Sequence, residues 1–534
     1  MSGNDELNIA SVVNRLPIAA AGKPPLGIKE ADWWLALILP VIGFLFIELV
    51  VESGWGIGVA IFALIFAAGL LVWFRYRGIK PPRGTYGYLA WILLAAASFS
   101  LERNSGPQTL LLPLMIMAVP YFVAAACGVR TEGRLGGYLP LDAWDSLLAV
   151  PLGHFTSFFA VFGAGVKGKR GGRGVAFALL GVFLTLPAFL LVSAMLSDAD
   201  AAFELIWLRL GQRITAELAE NAFKVLLSIP ATLYLFGLLY GTAAREGLAW
   251  REPERAAALA GRCRWLPGAM VAGGITPLLL VYIVFFCSQM AYFLNAFRGL
   301  LPAGIGYAEY ARRGFFELCA VSGINLAFIG LMAFFTRRDA AGRGVEKIYT
   351  VALSLFSVGL IMISLRKMLL YIDYYGLTPR RLSTSWFMLF LLLVFVLAVV
   401  RLFRPSLNVV KGAVAAGGIM LLLFCYGNTN GWIADYNVAA YREGRLEQLD
   451  LSLLHSLGDI TTSSLLTVML DEGIDSGLRD EARHILRQRA NTLGRRPEET
   501  DWRRWTLAGG RSARLLRDYQ EAIYDDYSVP SISR

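Results

Sequence analysis

Eleven intervals of this chain are apolar and long enough to cross a bilayer, and the basic residues between them fall mostly on alternate loops. A hydrocarbon core of about 30 Å takes roughly 20 apolar helical residues, since each rises about 1.5 Å. The intervals centre on residues 33–51, 55–74, 85–101, 109–127, 175–196, 223–244, 268–297, 315–335, 348–365, 386–400 and 409–426. In the seventh, no charge occurs between Arg264 and Arg298. The pattern predicts an all-α polytopic transmembrane bundle of about 11 spans, preceded by a polar arm (1–32) and followed by a soluble helical tail (427–534).

Charge orients this bundle. With the N-terminus in the cytoplasm, the inward loops hold 22 basic residues, among them Arg75, Arg77, Lys167, Arg251, Arg337 and Arg401, against 10 on the outward loops. A ratio of about two to one favours that orientation, and an odd number of spans then puts the tail outside. The expected location is a membrane that the chain crosses many times, with the N-terminus in the cytoplasm. The net charge of +10 belongs to the membrane part, because the tail has 14 Arg, no Lys and 17 acidic residues. Basic loops beside anionic lipid account for this balance better than a nucleic-acid partner, which is not expected.

Several chemistries lack their residues. Cys127, Cys263, Cys287, Cys319 and Cys425 show no CxxC spacing, and His154, His455 and His484 are widely scattered. Neither a disulfide scaffold nor a metal centre is expected, no cofactor is implied, and no nucleotide-binding loop or catalytic triad is evident. The first apolar run has no small-residue cleavage site and reads as a retained span.

Two intervals look interfacial. Residues 141–162 mix Asp142, Asp145, Pro151 and His154 with Trp144 and phenylalanines, as an in-plane or re-entrant segment would. Residues 199–222 place Phe203, Ile206, Trp207, Leu210 and Ile214 at helical spacing among charges, predicting an amphipathic surface helix. In the tail, apolar stripes through Ile433 and Tyr436, through Leu446 to Leu457, and through Leu478 to Leu486 predict packed helices, with an extended end from Tyr519.

Three clusters carry potential chemistry. The first, before the eighth span, includes Glu309, Tyr310, Arg312, Arg313 and Glu317. Its i,i+4 pairs suit a self-anchored interfacial helix, and its arginines equally suit an anionic head group. The second holds Tyr371, Asp373, Tyr375, Gly376, Thr378 and Arg381. These are either interfacial anchors or a ligand site, and an arginine is the natural partner for Asp373. The third is Asn428, Asn430, Trp432, Asp435 and Asn437, either capping the first tail helix or binding a ligand. All three face outward in this topology, as a shared site would, and tail packing would produce the same convergence. Within the spans, Gln289, Tyr292 and Asn325 either line a cavity or join helices by hydrogen bonds. Glu48 sits near the outer end of the first span, close enough for hydration.

At these clusters the chain resembles a bacterial multi-pass membrane protein family catalogued only as a domain of unknown function. The resemblance is carried by Tyr307 to Leu318, by Leu369, Tyr371, Tyr375, Gly376, Leu377, Thr378 and Arg381, and by Asn430, Ile433, Ala434, Asn437, Leu449 and Asp450. Leu196 to Phe203 is an imperfect counterpart of a further segment, with an extra acidic residue. The resemblance implies an integral protein of the bacterial envelope and brings no catalytic residue, substrate or cofactor. The expectation is a non-enzymatic protein that binds an anionic lipid or a partner protein at its outward face. The alternatives are a transporter or lipid-handling protein with an outward substrate site, and, more remotely, a membrane glycosyltransferase, for which the first outward turn offers only Glu48 and Glu52.

Overall fold

The computed structural model describes residues 28–102, 106–131, 133, 135–165, 214–244, 253–297, 315–493 and 501–524, with isolated positions between 181 and 196. The elements among them are helical, apart from one isolated pairing of Leu266 with Thr336. The protein is an all-α polytopic membrane bundle. Its first half comprises α1 (Glu30–Phe46, prolonged by a π-helical turn over Ile47–Val51), α2 (Ile57–Arg77), α3 (Tyr86–Ser98) and α4 (Gly106–Ala126). There follow α5 (Leu139–His154), α6 (Ser157–Gly165), α7 (Ile214–Ala244) and α8 (Pro253–Cys263). The second half is α9 (Gly268–Phe297), α10 (Phe315–Phe335), α11 (Ala340–Tyr375), α12 (Pro379–Phe403) and α13 (Val409–Tyr426). The tail contributes α14 (Thr429–Arg442), α15 (Leu451–Ser456), α16 (Thr462–Leu470), α17 (Ser476–Leu493), α18 (Leu507–Asp518) and α19 (Gln520–Tyr524).

Nine described helices are long and apolar enough to span a membrane, and α5 with α6 would make a tenth. Of the eleven expected intervals, the third folds as the 13-residue α3, and the fifth lies largely outside the described residues. Local chemistry sets the helix ends. Asp339, Thr378 and Asn408 accept from the amides of Gly342, Arg381 and Lys411, satisfying donors that have no intrahelical partner.

The helix ends alternate between two faces. On the proximal face, where α1 begins, Lys29 Nζ donates to the Arg77 carbonyl at 3.3 Å, and Asn408 Nδ2 donates to the Leu135 carbonyl at 2.6 Å. The other face carries the tail. The first-half core interlocks aromatic rings, with Phe158 5.3 Å from Phe236 and Phe236 stacked on Tyr240 at 5.4 Å. The second-half core centres on Leu353, Ile361, Met388 and Phe395, and Ile433 and Leu457 of the tail complete it. Helix α13 ties the halves: Trp91 Nε1 donates to the Gly418 carbonyl at 3.0 Å, and the Tyr426 hydroxyl to the Leu94 carbonyl at 2.8 Å.

The structure bears on three local expectations. Residues 141–162 belong to α5 and α6, which meet at a 54° bend, the geometry of a broken span or of a re-entrant loop; Val150, Pro151, Phe158 and Val161 are buried against α7 and its neighbours, so of the two alternatives the in-plane helix falls and the re-entrant segment stands. The amphipathic stretch at 199–222 lies outside the described residues up to 213, and from Ile214 it is the start of the continuous α7. Over Gln520–Tyr524 the chain forms α19, with Ala522 and Ile523 buried in the tail core, rather than the expected extended end, and residues 525–534 lie outside the described residues.

Candidate functional site

The second and third clusters meet. Helix α11 ends at Gly376, whose φ of 78° is strained for any residue with a Cβ, and an added Cβ would lie 2.7 Å from Asn437 Oδ1. The turn exposes the backbone of Leu377, and the Asn437 amide pairs with both its groups. Its Oδ1 accepts from the Leu377 N–H at 2.7 Å, and its Nδ2 donates to the Leu377 carbonyl at 2.8 Å. A side chain thus does what a neighbouring strand would do, in a buried place where water is not at hand.

Arg381 completes this corner from the first turn of α12. Its guanidinium donates to the Tyr375 carbonyl at 2.9 Å and to the Gly376 carbonyl, and it lies 4.1 Å above the Tyr371 ring. The cation therefore satisfies the last carbonyls of α11. Asp373 accepts from the Tyr436 hydroxyl at 3.3 Å, and Arg445 Nη1 donates to the same hydroxyl at 3.3 Å. The partner at Asp373 is therefore not an arginine of its own cluster: Arg381 is turned toward backbone carbonyls, and Tyr436, with the tail residue Arg445 behind it, is the group at the carboxylate. Asn430, buried, donates to Glu102 Oε1 at 3.3 Å and to the Leu457 carbonyl at 3.5 Å. Asp435 accepts from Ser464 at 2.7 Å inside the tail, and Trp432 is exposed.

Of the first cluster, Glu309, Tyr310, Arg312 and Arg313 lie outside the described residues, while Glu317 is exposed in the first turn of α10; the side chains of Gln289 and Tyr292 on α9 are also outside the described residues. Asn325 is buried between three helices. It accepts from the Tyr282 hydroxyl at 2.6 Å and donates to Ser357 Oγ at 2.9 Å, and Ser357 donates to the Leu353 carbonyl at 2.7 Å. Its amide joins α9, α10 and α11, as polar residues between apolar helices commonly do.

A second junction has no counterpart among the sequence clusters. Lys224 of α7 lies 2.9 Å from Glu48, 2.8 Å from Glu52 and 2.9 Å from Glu220, so each ammonium proton faces a carboxylate. From the tail, Arg503 reaches Glu48 and holds Asp501 at 2.7 Å. Burial alone would raise the Asp501 carboxyl, but the hydrogen bonds and charge of Arg503, with the charge of Arg504, outweigh it and hold the group below the usual range. The hydrogen bond to Asp501, and then the charges of Glu48 and Glu52, push Arg503 upward in turn.

Backbone contacts fix this segment. The amide of Ile57 donates to the Trp505 carbonyl at 3.1 Å, and those of Leu507 and Ala508 donate to Ser100 and Leu101 at 2.8 and 2.9 Å. Gly56 lies so close to Arg503 and Arg504 that a Cβ would meet their backbone at 2.6 to 2.8 Å. The i,i+4 spacings of Glu48 with Glu52 and of Glu220 with Lys224 were the available signals. Nothing in sequence joins residues more than 450 positions apart.

Among the described residues no group of three or more His, Cys, Asp or Glu side chains could hold a metal ion. Both junctions spend their donors and acceptors on protein partners, so what they do chemically is fasten the tail to the membrane helices. No curated protein and no solved structure matches the chain. The family model described as domain of unknown function DUF4153 matches residues 89–467, more than half of the chain and the stretch that contains Gly376, Leu377, Arg381, Asn430 and Asn437, and the protein belongs to that family.

Proposed function

We propose that this is a non-enzymatic membrane protein whose bundle holds the helical tail as a fixed platform, and that the platform offers its surface to a partner protein or to anionic lipid head groups. The observation that carries the reading is the pairing of Asn437 with both backbone groups of Leu377, seconded by Arg503 on Glu48. A tail that only needed tethering would not require buried polar bonds at two separate places. Carboxylates serving glycosyl transfer would need to be free, whereas Glu48 and Glu52 are both engaged by Lys224, and Glu48 by Arg503 as well.

The orientation belongs to the same proposal. The proximal face is cytoplasmic, because its loops carry Arg75, Lys80, Arg337, Arg338, Arg404 and other basic residues. The resemblance noted from the motifs supports a bacterial inner membrane as the location, and the basic loops support a tail outside the cytoplasm.

The test is a comparison of wild type with Asn437→Ala/Arg503→Ala in lipid nanodiscs, using spin labels on α17 and on the proximal loop near Arg338. Wild type should give one narrow distance distribution and the variant a broad one. Complementation by the same variant, inserted at normal level, should fail. Full complementation with a released tail would remove the platform reading.

A further inference from the structure

Helix α2 fixes the level of the membrane on the tail side. Its 21 residues rise about 31 Å, which matches a hydrocarbon core of about 30 Å, so Ile57 lies at one edge of that core and Arg77 at the other. The polar layer beyond each edge is about 5–7 Å deep. The Trp505 carbonyl accepts from the Ile57 amide at 3.1 Å, and the Leu507 amide donates to the Ser100 carbonyl at 2.8 Å, just beyond the end of α3. These bonds hold the stretch from Trp502 to Leu507 at the level of the lipid head groups.

The side chains displayed there suit lipid. Trp502 to Arg504 form a 3₁₀ turn, in which positions i and i+3 eclipse, so Trp502 and Trp505 fall on one side of it. Arg503, between them, turns back to Glu48 and Asp501. The two indoles are 60% and 48% exposed, and Leu507 is exposed as well. Tryptophan combines an apolar body with an N–H donor and is enriched where hydrocarbon meets water. Exposed rings end two other spans on the same face, Tyr374 and Tyr375 on α11 and Tyr426 on α13. Basic residues border the pair. Arg504, half exposed, reaches Asp501 only at 3.5 Å. On α18, Arg511 and Arg514 continue the exposed face that Leu507 begins, on the side away from the buried Ala508, Ser512 and Leu516.

We infer that this stretch is a lipid-contacting strap of the tail. Trp502 and Trp505 seat their rings in the head-group layer of the tail-side leaflet, and Arg504, Arg511 and Arg514 face the phosphates of anionic lipids. The inference rests on the docked tail of the platform reading, and it names lipid, rather than a protein, as what meets this edge.

Depth is the test. The full chain, with its five native cysteines replaced by alanine, receives a nitroxide through Trp502→Cys, Trp505→Cys or, as an exposed control on α17, Gln488→Cys, in nanodiscs of phosphatidylcholine with or without phosphatidylglycerol. Collisions with oxygen, which partitions into lipid, are compared with those of a nickel chelate, which stays in water. Labels at positions 502 and 505 should meet nickel several-fold less often, and oxygen more often, than the label at 488. Phosphatidylglycerol should enlarge the difference, and Arg511→Gln/Arg514→Gln should remove that enlargement. Nickel contact equal to that at 488 would overturn the strap, and shielding from both reagents would mean cover by a second copy of the chain and overturn it too. Equal depth in both lipid mixtures would remove the arginines from the contact. The distance from α17 to the loop near Arg338, measured in the same discs, separates the two readings. A narrow distance with water-exposed labels overturns only the strap, whereas a broad one overturns the platform and the strap with it. Should the cysteine changes lower the folded yield, Trp502→Phe/Trp505→Phe keeps a ring at each place. Quenching of tryptophan fluorescence by head-group nitroxide lipid should then fall below that of wild type, and unchanged quenching would overturn the strap.

Discussion

Asn437 concentrates the energetics of the tail junction in one side chain. Replacing it by alanine leaves the N–H and C=O of the buried Leu377 unpaired, at about 1–3 kcal/mol for each group. Asn437→Ala should therefore lower the unfolding midpoint in detergent by several degrees, while Asn437→Asp, which keeps the acceptor and loses the donor, is expected to retain part of the stability. Gly376→Ala meets a positive φ and a close Asn437 oxygen together, and a loss of about 1–2 kcal/mol or more should appear in the same thermal scan. The residue types at this corner were legible from sequence: glycine at a helix end, asparagine on the first tail helix, arginine in a first turn. Which backbone group each side chain serves was not, because Leu377 and Asn437 are 60 residues apart and only the docked tail makes them neighbours.

Elements rather than residues decide the second junction. The π-helical turn at the end of α1 carries Glu48, α7 brings Lys224, and the short segment before α18 brings Arg503. Removing Arg503 as alanine should cost about 1–2 kcal/mol, since its partners are partly solvated, and should raise protease cleavage in the tail. Lys224→Met should be more damaging, as it leaves three carboxylates facing one another at a helix junction, with lower folded yield as the measurement.

Acid acts on the same element. Asp501 has a folded-state pKa below its unfolded value, so its stabilising contribution is complete above the usual carboxylate range and is lost as pH falls through the depressed value. Proteolysis of the tail should be unchanged down to about pH 5 and rise only in stronger acid, a rise that Asp501→Asn diminishes.

At the scale of the whole molecule, α13 ties to the first half through Trp91 and Tyr426, while the tail packs into the second half through Ile433 and Leu457. The tail thus closes both halves from one face, and a single cysteine near Asp435 and one near Arg338 should report opposite sides of the membrane. With a membrane-impermeant reagent applied outside, label at the tail position alone is the expected outcome, and label near Arg338 alone would reverse the orientation.

Hydrophobic runs and alternating basic loops determined by themselves that the chain is a multi-pass helical bundle, because a bilayer forces each crossing segment to satisfy its own backbone and leave charge at its ends. The period of the apolar stripes likewise marked the tail as helical. Tertiary structure alone decided that the tail is docked, that Arg381 serves carbonyls rather than Asp373, and that Arg503 meets Glu48. The physical reason is range: helix formation and burial in lipid are read from neighbouring residues, whereas hydrogen bonds between distant segments and the shape of the space between helices exist only once the segments have packed.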